Sequence, residues 1–241
     1  MSNISIITTC CNDLDELIAT CNSIDIQSEK PYEHWIINYS SGYQIEEWIN
    51  NNPQPSYRKW LHEAGIQSIE ACNKGISICN GDIVHMLASG DKYNHTNVIH
   101  EVRNVFDTDD SLKWVNGKLK LRSNSKDIII GESFENKKLY KGFEGVYQPT
   151  WFVKKEVYER VGLFNKNHIY SKDYDMLCRI SSEKHQYINL VMVEYFDWGY
   201  NEEHYYRFIN DNLKIYEGYF GKSFKASLWH FILKIKYHFF E

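Results

Sequence analysis

Three short apolar runs, separated by stretches of helical period, constrain this chain more than any other feature. Residues 4–9 (ISIITT), 33–38 (EHWIIN) and 82–88 (DIVHMLA) read as buried strands bounded by polar turn residues. After the first, Asn12 or Asp13 opens a helix with Leu14, Leu17, Ile18, Cys21 and Ile24 on one face. A second helix starts over residues 45–50 and is closed by an Asn-Asn-Asn-Pro stretch. A third spans residues 68–79 and stops at Asn80-Gly81. Strands that alternate with helices need crossover connections, so a mostly parallel sheet with right-handed crossovers is expected. The class is α/β.

The second half is patterned differently. Strands are predicted over residues 113–121, 127–131 and 186–196, and helices near residues 154–161, 172–184 and 202–219. With only 4 Pro and 13 Gly, no linker divides the chain, and one continuous domain is expected over residues 1–220. The 241 residues are 43% hydrophobic and 24% charged, enough to bury a sizeable core. A net charge of −5 argues against a general nucleic-acid binder, which needs a basic face.

Six cysteines form no C-x-x-C pair, so reduced, mostly buried thiols in a cytoplasmic protein are expected. The first residues lack a basic segment followed by a long apolar one, and no run of about 18 apolar residues could span a membrane. Ten His are scattered without H-E-x-x-H or other ligand spacing, so none is taken as a metal ligand.

Ligands of an open α/β sheet lie outside the carboxyl ends of its strands. Those ends are Thr8-Thr9-Cys10-Cys11-Asn12, Asn38-Tyr39-Ser40-Ser41 and Ala88-Ser89-Gly90-Asp91. Small polar groups would converge there on one cleft, although each stretch is also ordinary turn chemistry. Neither G-x-G-x-x-G nor a P-loop is present.

In combination these stretches carry a resemblance. Residues 62–91, HEAGIQSIEACNKGISICNGDIVHMLASGD, resemble the block S-E-P-D-x-G-I-Y-D-A-M-N-K-G-I, A-T-G-D-I and L-N-S-D-D or L-N-S-G-D of family 2 glycosyltransferases, in register and without a gap. SIITTCCN resembles that family's S-I-I-T-x-x-Y-N, and EHWIINYSS its E-x-I-I-I-D-G-G-S. Further on, YQPTWF, VGLF and SKDYD resemble H-Q-x-T-F-F, L-G-x-F-D and A-S-D-Y-D. The similarity covers about residues 3 to 200. It implies a GT-A fold, a Rossmann-like mixed sheet with flanking helices. It also implies inverting transfer of a sugar from a nucleotide donor to a hydroxyl of a bacterial surface glycan.

The resemblance also implies roles. Asp91 matches the aspartate that holds Mn²⁺ or Mg²⁺ against the donor diphosphate, an oxygen-rich site suited to either ion. Gly90 stands where the D-D version has a preceding acid, leaving one carboxylate. Asp173 matches the base that takes the acceptor proton, with Asp175 orienting acceptor hydroxyls. As alternatives, Asp91 is a turn residue and Asp173 serves only its helix dipole. Thr9, Cys11, Asn38, Glu63, Glu70, Asn73, Lys74, Ser89 and Gly90 fall at donor positions, and Gln148 and Trp151 at acceptor positions. Asn38 replaces the Asp that reads uracil, Cys11 a common aromatic, Gly65 an acid and Glu70 an Asp. A UDP-sugar is the expected donor. Glu70, Asn73 and Lys74 also fit a solvated helix face, and Trp151 ordinary core packing.

Two other readings stay open. One is a catalytically silent nucleotide- or glycan-binding domain, motivated by Asn38, Cys11, Gly65 and Gly90. The other is a sugar nucleotidyltransferase, which would want a basic Gly-rich loop after the first strand, where TTCCNDLDE stands. Residues 221–241 are expected to form an amphipathic C-terminal helix. Phe224, Leu228, Phe231, Ile232, Ile235 and Phe239 fall on one arc, with Ser223, Ser227, His230, Lys234 and His238 on a polar stripe. Its lysines, Trp229 and Tyr237 suit the inner face of the cell membrane, where a polyprenyl-linked acceptor would reside. Docking on the domain itself or on a second subunit is the alternative.

Overall fold

A computed structural model of the protein describes residues 1–123, 126–142, 145–196 and 202–240. The side chains of residues 202 and 238–240 lie outside the description, so the tail expectations for His238 and Phe239 do too. Residues 197–201, where the sequence resemblance fades out, are likewise outside it.

The first half runs β1 (Ile4–Cys10), α1 (Leu14–Asp25), β2 (Glu33–Asn38), α2 (Gln44–Asn51), β3 (Arg58–His62), α3 (Ser68–Ile78), β4 (Ile83–Met86), β5 (Lys92–Tyr93) and α4 (Val98–Thr108). The second half runs β6 (Trp114–Arg122), β7 (Ile128–Ile130), β8 (Phe152–Lys154), α5 (Lys155–Val161), α6 (Lys172–Ile180), β9 (His185–Phe196), α7 (Glu202–Phe220) and α8 (Phe224–Phe240). The strands form one sheet in the order β3-β2-β1-β4-β8-β6-β9-β5, with β7 paired to β6.

The expected parallel half is present: β3, β2, β1 and β4 all run the same way. β8 then enters antiparallel between β4 and β6, which makes the sheet mixed. Every residue of β1 is buried, as a central parallel strand covered on both faces requires. Asp13 caps α1, its side chain accepting from the Glu16 N–H at 3.1 Å. α3 lies unusually close to β1. A Cβ on Gly75 would sit 2.3 Å from Ile7 Cγ2, so the glycine of N-K-G-I sets the helix–sheet distance.

Four elements were not expected. β3 carries Arg58 and Lys59, yet Arg58 is buried. Its guanidinium donates to His34 Nδ1 at 3.1 Å and to Asp25 at 2.6 Å. β5 and β8 are too short to show a period, and α4 forms over Val98–Thr108, where no helix is expected. The helix expected over residues 172–184 ends earlier, at Ile180, with Ser181 as its cap.

Candidate active site

Because β1, β2 and β4 are parallel, their carboxyl ends open on the same edge of the sheet. Backbone bonds lock the loops there together: Ser89 N–H donates to the Thr9 carbonyl at 3.1 Å, and Tyr39 N–H to the Cys10 carbonyl at 3.0 Å. A cavity of about 350 Å³ lies over these ends. Thr9, Cys11, Tyr39 and Ser89 line it from the strand side, with Gln148, Phe164 and Lys172 from the second half. Glu16, from the first turn of α1, lines it as well.

Asp91 ends the β4 loop and is only 6% exposed. Its N–H donates to the Ala88 carbonyl at 3.0 Å and its carbonyl accepts from the Thr20 hydroxyl at 2.8 Å. That hydroxyl in turn accepts from Gly90 N–H at 3.0 Å. Burial pushes the Asp91 carboxyl up to about 8. The nearby Glu16 charge adds to the rise, while the Ala88 backbone and Lys172 oppose it. Ser89 Oγ is sealed from solvent and has no hydrogen-bond partner. Among the described residues no group of three or more His, Cys, Asp or Glu side chains is assembled to hold a metal. Mg²⁺ and Mn²⁺ sites that act on phosphates need fewer, taking one or two carboxylates and completing the shell with phosphate oxygens and water. A sunken carboxylate on the same loop as an unsatisfied hydroxyl fits such an ion.

Asp173 lies in the first turn of α6, paired with Lys172 at 2.7 Å and about a quarter exposed. Lys172 Nζ also stands 5.1 Å from the centre of the Phe164 ring, so α6 presents its N-terminal turn to the cavity.

The structure corrects two acceptor-side expectations. Asp175 is 1% exposed, and its oxygens are engaged by Arg179 at 2.7 Å and the Tyr219 hydroxyl at 2.9 Å. It ties α6 to α7 and has no free face for a substrate hydroxyl. Trp151 is 2% exposed and packs edge-on against Trp114, so it is core.

Five donor-side residues also lie away from the cavity wall. Asn73 clamps Phe164, donating to its carbonyl and accepting from its N–H, both at 2.9 Å. It holds a wall residue without being one. Glu70 caps α3 by accepting from Gln67 N–H and pairs with Lys166, while Lys74 pairs with Glu63 at 3.2 Å. Asn38 is fully buried, its amide donating to Glu46 at 2.8 Å and its oxygen accepting from Ser40 N–H at 3.0 Å. In this arrangement it offers no acceptor to a base. Thr9, Cys11, Ser89 and Gln148 do line the cavity, whereas Gly90 lies behind it on the α1 side. Sequence reasoning missed Glu16, Lys172 and Phe164. The last two stood inside quoted motifs, but nothing in the spacing of Glu16 marks it.

Topology and site together define a GT-A-like fold, and comparison with solved structures agrees. Staphylococcus aureus TarS, residues 1–349 in complex with UDP-GlcNAc, superposes with a TM-score of 0.67 at 14% identity, covering 98% of this chain and 73% of that one. A mannosyltransferase of Pyrobaculum calidifontis in complex with GDP-Man and Mn²⁺ gives 0.65 at 11% identity, covering 99% and 70%. In sequence, two proteins from strains of Mycobacterium tuberculosis, each described as an uncharacterized glycosyltransferase, are 30% identical over 97 residues. That is 40% of this chain. The match spans about 37% of the length of those relatives. No family model matches the chain.

Proposed function

We propose that this protein is an inverting glycosyltransferase that takes a sugar from a nucleotide-diphosphate donor, a UDP-sugar by preference. The observation that carries the proposal is one cavity at the strand ends, walled on one side by the β4 loop that leads to Asp91 and on the other by Lys172, the neighbour of Asp173. Asp91 is sunk at the end of β4, and Asp173 sits on the helix whose Lys172 lines the opposite wall. The donor diphosphate would lie over the β1 and β4 loops, with Thr9 offering its hydroxyl. An acceptor hydroxyl entering from the Gln148 side would attack the anomeric carbon as the bond to the diphosphate breaks. Asp173 would take the hydroxyl proton, and the electron pair of the broken bond would leave on the nucleoside diphosphate. Asp91 would hold a divalent cation, which when bound supplies charge neutralisation at the departing diphosphate. The Mn²⁺ in the mannosyltransferase complex supports this assignment.

Titration calorimetry with UDP, GDP, CMP and dTDP, each with Mn²⁺, tests the donor assignment. UDP is expected to bind tightest, and Asp91→Ala to remove the dependence on Mn²⁺. Equal, metal-independent binding of all four would refute it.

The acceptor is proposed to be lipid-linked and reached at a membrane surface. No described helix is long and apolar enough to cross a membrane. α8, however, turns its apolar arc outward. Phe224 is 84% exposed, with Leu228, Phe231 and Ile235 also exposed along the same stripe, while Ala226 and His230 face inward. Lys222, Lys225 and Lys236 are exposed around that stripe. An exposed apolar stripe rimmed by lysines suits an anionic headgroup layer better than the protein's own core.

A further inference from the structure

We propose that Glu16, from the first turn of α1, supplies the second carboxylate to the divalent cation, in place of the side chain that Gly90 lacks. The inference rests on the reading of Asp91 as a cation ligand and extends it to a residue outside every stretch that carries the family resemblance. Gly90 has φ +94, and a Cβ built on it would lie 2.3 Å from Glu16 Oε2 and 3.2 Å from Glu16 Cδ. The Glu16 carboxylate thus occupies the space in which a residue 90 side chain would begin. It lines the cavity over β1 and β4. An acidic pair alone would be weak ground. Here Ser89 Oγ, two residues before Asp91 on the same loop, is sealed from solvent without a hydrogen-bond partner, a polar group left unsatisfied next to the proposed ligand.

The cost of this arrangement argues for a ligand. Two like charges meet at one loop, the Glu16 carboxylate packed against Gly90 and Asp91 one residue further on. Among the described residues no hydrogen bond or ion pair reaches the Glu16 carboxylate at contact distance, although Lys92 acts on it from farther away. A doubly charged cation relieves that repulsion and gives Ser89 Oγ an electrophile to face. One or two carboxylates plus diphosphate oxygens is the ordinary donor set for Mg²⁺ or Mn²⁺ at a nucleotide. Moving one of them from the loop to α1 keeps the set while leaving residue 90 free to be glycine.

The test is binding of Mn²⁺ to the full chain, read from the loss of the free-ion paramagnetic resonance signal, with and without UDP. Glu16→Gln keeps the side-chain shape and removes the charge. Its Mn²⁺ affinity is expected to fall by about tenfold or more, with the thermal midpoint in the absence of metal unchanged or raised. Asp15→Asn removes the same charge from the exposed neighbouring position and should change affinity by less than about twofold, the screened long-range effect. Wild-type affinity in Glu16→Gln would overturn the Glu16 assignment alone, as would equal losses in the two variants. No Mn²⁺ binding by the wild-type chain, even with UDP, would overturn the cation reading of Asp91 and this inference with it.

Discussion

Lys172 donates to the Asp173 carboxylate at 2.7 Å while its ammonium stands over the Phe164 ring, so the proposed base is oriented by its own neighbour on α6. Asp173→Asn preserves size and removes the proton acceptor. Transfer should slow at least about a hundredfold, with donor affinity unchanged in calorimetry. Undiminished turnover would remove Asp173 from the mechanism.

Asp175 gives the opposite expectation. Arg179→Met would leave its carboxylate buried with only the Tyr219 hydroxyl, and breaking a buried pair in this way costs about 3–5 kcal/mol. Urea unfolding should show that loss, and Tyr219→Phe a smaller one of about 1 kcal/mol. Full stability combined with a reduced kcat would return Asp175 to the acceptor site.

Gly75→Ala tests the packing of α3 on β1. The added methyl meets Ile7 Cγ2 at 2.3 Å in the core, where overpacking costs about 1–3 kcal/mol. The helix propensity gained by alanine is smaller than that, so the denaturation midpoint should fall. A rise would mean that α3 sits farther from the sheet.

Stability should fall steeply in mild acid. His85 is buried and stacked 3.9 Å from Phe152, and burial lowers its pKa from 6.5 to about 4. As pH drops, the unfolded chain takes up this proton first. The stability is therefore complete above pH 6.5 and is lost as pH falls through 4, about 3 kcal/mol for this residue. His185, also lowered to about 4 by burial, and His34, lowered well below its ordinary value, act in the same direction. Urea titrations at pH 7, 5.5 and 4.5 should show the decline, and His85→Gln should flatten it. A pH-independent midpoint over that range would contradict the burial of these rings.

The legible parts of the fold were those with strong local periodicity. β1, β2, α1 and α3 show it because each buries a whole face or stripe, and Asp13 carries a cap that spacing alone suggests, whereas the close approach at Gly75 shows only in the packing of α3 on β1. β3 was hidden because its burial depends on Arg58 meeting His34 and Asp25 from other elements. At the site, Thr9, Ser89 and Gln148 were readable as strand-end and loop residues in motifs. Asp175 was misjudged because its inward orientation depends on α7 packing over α6, a tertiary fact. Glu16 was invisible because its significance lies in the empty space at Gly90, which a sequence does not display.

Placing the exposed arc of α8 against lipid makes a separate prediction. Phe224→Ser with Phe231→Ser should abolish sedimentation with anionic liposomes at low salt while leaving UDP binding intact. Equal sedimentation of variant and wild type, or none by either, would assign the stripe to a protein partner.

Release of nucleoside diphosphate from a panel of nucleotide sugars, with Mn²⁺ present, tests the central claim most directly. Slow release from one donor class, UDP-sugars first, is expected, and it should disappear in Asp91→Ala and in EDTA and return when Mn²⁺ is restored. Tight nucleotide binding with no release from any donor, or release indifferent to Asp91→Ala, would contradict the account and leave a binding domain of the same fold.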